Sequence, residues 1–405
     1  MSSSNCLTLD DVSVSGRTVL VRVDLNSPMS PDGTILDDSR FKSHLPTLSD
    51  LADSKVVLLA HQSRPGKMDF TTMQAHAQRL ERLCRRTITY VDDIFGSHAI
   101  TAIKSMKNGD IILLENVRFY SEESMSRSPA EHAGSIMVAK LSPHVDLFVN
   151  DAFAVSHRSH LSVVGFTEVL PSVAGRLMEK EIKSLSRGFS EGGAVFVLGG
   201  IKANDSIDVI ENVVARDEVD FVLVTGVVAN VFLAADGVNI GRKNSEFIDS
   251  IGCAIEVERA HKLLAEYSDK IVVPVDLACS DSEKRVELSV SELPTDLAIC
   301  DIGLNTIVSF GEKIKNARTV IMNGPAGLFE KDAFALGTKE LLLAATKSKF
   351  SIIGGGHIAA EAYDLGIESR ISHISTGGGA CIDFLSGRTL PGIAALEAAH
   401  KRFNE

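Results

Sequence analysis

Three glycine clusters each follow a short apolar or β-branched run in the C-terminal half of the chain. Val197-Leu198-Gly199-Gly200 leads to Lys202, Ile352-Ile353-Gly354-Gly355-Gly356 leads to His357, and Ser375-Thr376-Gly377-Gly378-Gly379 follows residues 371–374. A strand that ends in glycines and opens a helix presents unpaired backbone N–H groups and the positive end of a helix dipole, which suits phosphate. One such cluster is weak evidence, because tight turns also need glycine. Three of them at strand ends favour an anion-binding crevice. The N-terminal half supplies guanidinium groups at comparable places. Arg22-Val23-Asp24-Leu25-Asn26 leaves one apolar run, with Arg40 a short loop later, and Ala60-His61-Gln62-Ser63-Arg64 leaves a second. Leu114-Glu115-Asn116-Val117-Arg118 leaves a third, and Asn150-Asp151 leads on to His157-Arg158. An Arg fork matches carboxylate and phosphate oxygens bidentately, so Arg at several strand ends fits a doubly anionic substrate.

Each of these residues also has a bland reading. Asp24 and Asn26 can satisfy turn backbone, His61 can be a hydrogen-bonded core histidine, and Glu115-Asn116 can cap a helix. Glu330 can be a helix-terminal charge, and Lys202 can pair with Asp205 on a solvated face. Singly these readings are admissible, but together they leave the repeated strand-end placement unexplained. Missing signatures narrow the chemistry. There is no G-x-x-x-x-G-K-[ST] phosphate loop, no G-x-G-x-x-G after the first strand, and no H-R-D or D-F-G.

The elements that must position these residues follow from periodicity. Buried strands are expected at 19–23, 56–59, 111–114 and 145–149, with helical windows at 41–51, 72–83 and 129–141 between them. A second series has strands at 195–198, 219–224, 270–273, 319–322 and 350–353, and helical windows at 207–214, 256–267, 331–346 and 358–364. Strand and helix alternating at this spacing imply a parallel sheet with helices on both faces. Residues 175–187 form a helix-compatible join, preceded by Pro171 and followed by Gly188 and the pair Gly192-Gly193; a last helix covers 392–403.

The length of 405 residues exceeds what one core usually serves, so two domains are expected. A net charge of −12, no Trp and four Tyr argue against nucleic acid or an anionic membrane as partner. The deficit is uneven. Residues 1–160 hold 17 Lys+Arg against 19 Asp+Glu, whereas residues 161–405 hold 24 against 34, so a small anion belongs on the first part. Six scattered Cys with no Cys-x-x-Cys pair argue against a disulfide framework or structural zinc. The opening residues lack a secretory h-region and no apolar run approaches a membrane span, so the cytoplasm is the expected location.

The segments RVDLNSP, HQSRPG, LLENVRF, NDAFAVSHR, GGIK, NGPAGLFE, IIGGG and STGGGA appear in this order along the chain. In that order and spacing the chain resembles the phosphoglycerate kinase family from end to end, and the GGGH variant and short C-terminus are more similar to its archaeal branch. The resemblance implies an α/β fold of two Rossmann-like doubly wound parallel-sheet domains joined by a helix. It implies a 3-phosphoglycerate domain at 1–170, a linker at 171–190, a nucleotide domain at 191–386, and a segment 387–405 returning to the first domain. The implied reaction is reversible phosphoryl transfer from 1,3-bisphosphoglycerate to ADP, giving 3-phosphoglycerate and ATP, with Mg²⁺ accompanying the nucleotide and closure of the domains. By motif, Asp24, Asn26, Arg40, His61, Arg64, Arg118 and Arg158 hold the glycerate substrate. Lys202, Asn323, Glu330, Gly354, Gly355, Gly356 and His357 face the nucleotide, and Arg40, Lys202, Gly355 and Gly378 act at the transferring group.

Two departures stand out: Ser206 occupies a place where members commonly carry a second Lys, and His357 a place where they commonly carry an Asp that binds magnesium. The metal ligands are left unassigned, with His357 expected outside the metal's coordination shell. A monomer is the default expectation, with a dimer the alternative. A catalytically silent ligand binder and a dehydrogenase on the same layers are the competing classes. Retention of Arg40 and Lys202 speaks against the first, and the absent glycine fingerprint against the second.

Overall fold

A computed structural model of the chain describes residues 6–187, 189–190 and 192–403. It divides into two compact units, one running to Lys183 and resuming at Thr389, the other Ser184–Arg388. The division falls inside the helix Arg176–Arg187. Gly188, read above as a stop signal, and residues 1–5 lie outside the described residues.

The first unit contains β1 (Thr18–Arg22), β2 (Lys55–Leu59), β3 (Ile88–Val91), β4 (Ile111–Leu114), β5 (Leu147–Asn150) and β6 (Ser172–Ala174). They form one parallel sheet in the order β3-β4-β2-β1-β5-β6, with Val21 in register with Leu58 on one side and Val149 on the other. Alternate residues serve opposite faces. Val19, Val21, Val56 and Leu58 pack with Phe41, Leu48 and Leu80. Leu20, Val57, Leu59 and Phe148 pack with Ile103, Met137, Leu141 and Phe166. Burial on both faces is why these strands read as continuous apolar runs. Truncating Leu20 to Ala would cost about 2–5 kcal/mol, because the packed neighbours cannot collapse into the space. The window 41–51 is two helices, Ser39–Ser43 and Leu45–Asp50, with the buried His44 between them and Pro46 in the first turn of the second. The helix Pro391–Phe403 packs on β6, its Arg402 paired with Glu168 at 2.8 Å.

The second unit contains β7 (Ala194–Leu198), β8 (Val219–Val224), β9 (Ile271–Val272), β10 (Asp276–Asp281), β11 (Lys284–Ser289), β12 (Ala298–Ile302), β13 (Thr319–Asn323), β14 (Phe350–Gly354) and β15 (His373–Ile374). Six of them form a parallel sheet, β15-β14-β13-β7-β8-β9. One face packs on the helices Leu304–Asn316 and Leu336–Ala345 through Phe310, Ile314, Leu341 and Leu342. The other three form an antiparallel sheet, β11-β10-β12, which the periodicity did not reveal. The reason is composition: β11 reads KRVELS and none of its residues is fully buried, so it carries no apolar run.

Both parallel sheets reverse direction about a central strand. The chain passes from β1 to β2 on one side and reaches β5 on the other; likewise β7 lies between β8 and β13. In open α/β sheets ligands bind beyond the carboxyl ends of strands at such a reversal. Arg22–Asp24 and Asp151 leave one of these points, and Gly199 and Gly324 leave the other.

Candidate active site

In the first unit the carboxyl ends of β1, β2, β4 and β5 bring a group of basic side chains together. Arg22 ends β1 and is fully buried. Its Nε donates to Ser162 Oγ at 2.7 Å, one Nη donates to the Val23 carbonyl, and Nη2 lies 3.1 Å from His61 Nδ1. Ser162 Oγ donates in turn to Glu123 Oε1 at 2.7 Å. Burial draws the Arg22 guanidinium down to about 10, opposed by the Glu123 carboxylate. Burial also pushes the Glu123 carboxyl up, opposed by Arg22.

The residues expected to hold the substrate surround this anchor. Asp24 is buried; one carboxylate oxygen accepts from Arg40 and the other from the Asn26 N–H at 3.2 Å. Asn26 Oδ1 accepts from the Ser63 N–H at 2.8 Å, which leaves its amide donors uncommitted to that turn. The bland Asx reading therefore holds for Asp24 and Asn26, and a second role coexists with it, since Asp24 also orients Arg40. Arg118 donates to the Ser63 carbonyl, and its buried Nε has no hydrogen-bond partner. Burial first, then repulsion from Arg22 and Arg158, lowers Arg118 to about 10. Arg158 is exposed, with Nε 3.0 Å from His157 Nε2; Arg64 is exposed, and its side chain makes no hydrogen bond or ion pair with other described residues. His61 is held well below the usual imidazole range by burial, then by Arg22, Arg118 and Arg40. His160, lowered to about 3 by burial, then by Arg118, Arg22 and Arg158, joins the cluster.

Reasoning from sequence put Arg22 at a strand end but not among the residues that hold the substrate, and it missed Glu123 and His160. Arg22 did leave a signal, a charge inside the apolar run TVLVR. Glu123 and His160 left none.

In the second unit a cavity of about 780 Å³ opens at the strand ends of β7, β13 and β14. Its walls include Gly199, Lys202, Asn323, Glu330, Gly355 and Gly378. Three of the exposed large apolar side chains of the chain, Ile201, Phe247 and Leu328, are among the lining residues. A concave apolar wall with few polar groups suits a flat ring. Gly355 caps the helix Gly356–Asp364 with φ +94°, and Gly378 caps the helix Gly379–Leu385 with φ +48°. The first N–H groups of such helices have no intrahelical acceptor, so both termini offer donors to an anion. His357 stands in the first turn of the longer helix, exposed, its ring 5.6 Å from that of Phe329. Asn323 Nδ2 is buried without a hydrogen-bond partner, a donor left for a ligand.

The first glycine pair departs from expectation. The Gly199 N–H donates to the Asn323 carbonyl at 2.9 Å and the Gly200 N–H to the Pro325 carbonyl at 2.8 Å. A Cβ at Gly324 would stand 2.3 Å from the Gly199 carbonyl oxygen. These glycines lock two loops together and have no amide to spare for phosphate. Lys202 follows them, largely exposed, its Nζ 4.0 Å from Asp205. An exposed pair at that distance holds by well under about 1 kcal/mol, so the lysine is open to a ligand. Ser206 lies buried on the next helical turn. Among the described residues no group of three or more His, Cys, Asp or Glu side chains converges to hold a metal, and no helix is long and apolar enough to cross a membrane.

The phosphoglycerate kinase family model matches residues 9–388. A phosphoglycerate kinase of Methanosarcina mazei is 61% identical, covering 100% of this chain and 98% of its own. One of Methanothermus fervidus is 49% identical over 98% of both chains. The crystal structure of the Pyrococcus horikoshii phosphoglycerate kinase superposes with a TM-score of 0.90 at 42% identity, covering 98% of this chain and 100% of that one. That from Coxiella burnetii gives 0.81 at 30%, over 96% and 98%. The chain therefore belongs to the phosphoglycerate kinase family, and its reaction is the reversible phosphoryl transfer between 1,3-bisphosphoglycerate and ADP that yields 3-phosphoglycerate and ATP.

Proposed function

We propose that the basic cluster of the first unit binds 3-phosphoglycerate or 1,3-bisphosphoglycerate and that the cavity of the second binds ADP or ATP. The observation that carries the reading is the gathering of Arg22, Arg118 and Arg158 about His61 and His160, with the buried Nε of Arg118 left without a hydrogen-bond partner and its guanidinium lowered by burial, then by Arg22 and Arg158. Such a group is unfavourable alone and is relieved by a bound anion. Arg64, Arg118 and Arg158 take the remote phosphate, while Asp24 accepts from the substrate hydroxyl and Asn26 and His61 donate to the carboxyl end. In the second unit Gly354–Gly356 and Gly378 face the nucleotide phosphates, together with Asn323 and the His357 side chain, and Glu330 takes the ribose hydroxyls. By this assignment the domain bounds 1–170, 171–190, 191–386 and 387–405 separate substrate roles.

In the ATP-consuming direction a carboxylate oxygen of 3-phosphoglycerate attacks the γ-phosphorus in line, and the bond from that phosphorus to the β-γ bridging oxygen breaks. The products are an acyl phosphate and ADP, and no general base is required because the carboxylate is already ionised near neutral pH. Catalysis is then positioning and charge cover. Arg40, oriented by Asp24, and Lys202, loosely held by Asp205, cover the transferring group once each unit has brought up its substrate. Exclusion of water at that moment prevents ATP hydrolysis. Mg²⁺ supplies further charge neutralisation. Among the described residues no group of three or more His, Cys, Asp or Glu side chains fits an ion held mainly by protein, so a bound Mg²⁺ would rely chiefly on oxygen ligands other than a protein cage.

A coupled assay with ATP and 3-phosphoglycerate tests the assignment. Arg40→Ala and Lys202→Ala should each lower kcat by about 10²–10³ while nucleotide affinity changes little, as for loss of a preorganised donor. Near-normal turnover in Arg40→Ala would remove Arg40 from the role.

A further inference from the structure

Two asparagines line the second unit's cavity away from its glycine-rich end, and their amides are in opposite conditions. Asn244 is saturated. Its Nδ2 donates to the Ile240 carbonyl at 2.9 Å and the Leu297 carbonyl at 3.0 Å, and its Oδ1 accepts from the Ile299 N–H at 3.0 Å. That amide clamps the helix Arg242–Ser250 to β12. Asn230, on the helix Gly226–Ala235, is 5% exposed, and its Oδ1 is buried with no hydrogen-bond partner. A buried amide left unpaired is unfavourable in the free protein, so its retention calls for an occupant.

We propose that Asn230 reads the base of the nucleotide, its amide oxygen accepting from the exocyclic amine of adenine while its amide nitrogen donates to the adjacent ring nitrogen. The inference rests on the reading that the nucleotide occupies this cavity, and it adds a specificity-determining residue to that reading. Position supports it. The helix Gly226–Ala235 starts where Gly226 meets Gly200, beside the glycine-rich end of the cavity. Asn230 stands about 6 Å further along, at 1.5 Å per residue. There the helix packs on β12 and on Arg242–Ser250, and Phe247, Leu277 and Ile299 supply apolar surface for a ring. Chemistry supports it as well. An amide offers one donor edge and one acceptor edge, and rotation about χ2 only exchanges them. Adenine presents an amine beside a ring nitrogen on either of its hydrogen-bonding edges, so it satisfies both in one plane. A purine lacking the 6-amino group satisfies one and leaves the other buried and unpaired.

Calorimetric titration with ADP and with purine riboside 5′-diphosphate, which differs only by that amino group, tests the proposal. The wild-type chain should prefer ADP by about tenfold or more. Asn230→Leu should bind the two nucleotides equally, and without ligand it should melt no lower than wild type, because an unpaired polar group has been replaced by an apolar one of similar size. An ADP preference unchanged in Asn230→Leu overturns the inference, as does a lowered melting temperature with equal losses for both nucleotides, the mark of a structural amide. Asn323→Leu separates this failure from that of the wider reading. If it weakens both nucleotides while Asn230→Leu changes nothing, only the role of Asn230 is lost. If neither substitution affects ADP binding, the nucleotide lies elsewhere and both readings fall.

Discussion

Arg22 Nη2 lies 3.1 Å from His61 Nδ1, and both side chains are buried. A guanidinium has only donors, so Nδ1 must accept, and in a neutral ring the proton then sits on Nε2. The arginine thereby fixes the tautomer of the histidine and repels the proton that would make it an imidazolium. His61 is thus a neutral donor by construction.

The first prediction follows from that pair. Because burial, then Arg22, Arg118 and Arg40, hold His61 well below 6.5, it should remain an Nε2–H tautomer between pH 5 and 8. Nitrogen-15 NMR of the ring reads this directly. A His61 titration midpoint inside that interval would mean that the surrounding positive charge does not govern the ring.

Acid stability should report the same environment. His61, His76 and His160 all have folded-state values below the unfolded value near 6.5, with His76 at about 4 and His160 at about 3, burial being the largest cause in each. Below pH 6.5 the unfolded chain takes up protons that the folded chain refuses, so stability present above that pH is lost as the pH falls. From pH 6.5 to 5.5 each histidine contributes a loss of about 1 kcal/mol, about 3 kcal/mol for the three. Urea unfolding at the two pH values measures it, above the range in which ordinary exposed carboxylates titrate. Equal stability at both would show that the histidines are not buried neutral.

The arginines of the cluster should not be equivalent. Arg118 is anchored on the Ser63 carbonyl and has a buried, unpartnered Nε, whereas Arg64 is exposed. A desolvated charged hydrogen bond contributes about 1.5–3 kcal/mol, an exposed ion pair about 0.2–1. Arg118→Ala should therefore raise the KM for 3-phosphoglycerate by about 10- to 100-fold with kcat little changed, and Arg64→Ala by only about 2- to 5-fold. The smaller effect should shrink further in high salt. Equal effects in initial-rate assays would place the phosphate nearer Arg64 than the burial of Arg118 implies.

The legibility of this protein in its sequence follows burial. Strands such as TVLVR and KVVLL are apolar on both faces and announce themselves, and the residues that leave them, Asp24, His61 and Arg118, inherit positions at the strand ends. The β10–β12 sheet is half solvated and polar, so nothing in DLACSD or KRVELS separates it from loop. The helix Gly226–Ala235 is missed for the opposite reason: GVVANVFLAA is buried nearly all round and continues the apolar run of β8 without a change of period. Asn230 lies in that hidden helix. Lys202 is legible only through the order of the motifs, since nothing about one exposed lysine near an aspartate marks it. The glycines of GGIK show the limit of spacing arguments. They stand at a strand end, like Gly355, yet their amides are consumed by the loop of Asn323–Pro325.

The last prediction concerns His357, in the first turn of the helix that opens at Gly355. Its ring is exposed and tilted against Phe329, and the described residues provide no cluster of His, Cys, Asp or Glu around it. Neutral imidazole is a poor ligand for Mg²⁺, which prefers oxygen and keeps several of its waters. His357 should therefore contact a nucleotide phosphate or a metal-bound water and stay outside the first coordination shell. Activity should require Mg²⁺, accept Mn²⁺, and gain nothing from added Zn²⁺. His357→Asp restores a hard oxygen at a helix N-terminus, where a carboxylate is also favoured by the dipole. It should lower the Mg²⁺ concentration for half-maximal rate by about threefold to tenfold, the scale of one added carboxylate near a partly hydrated ion. Rates measured against free Mg²⁺ at fixed ATP read the shift. An imidazole nitrogen found bonded to the ion in a crystal with Mg²⁺ and nucleotide would reverse the assignment.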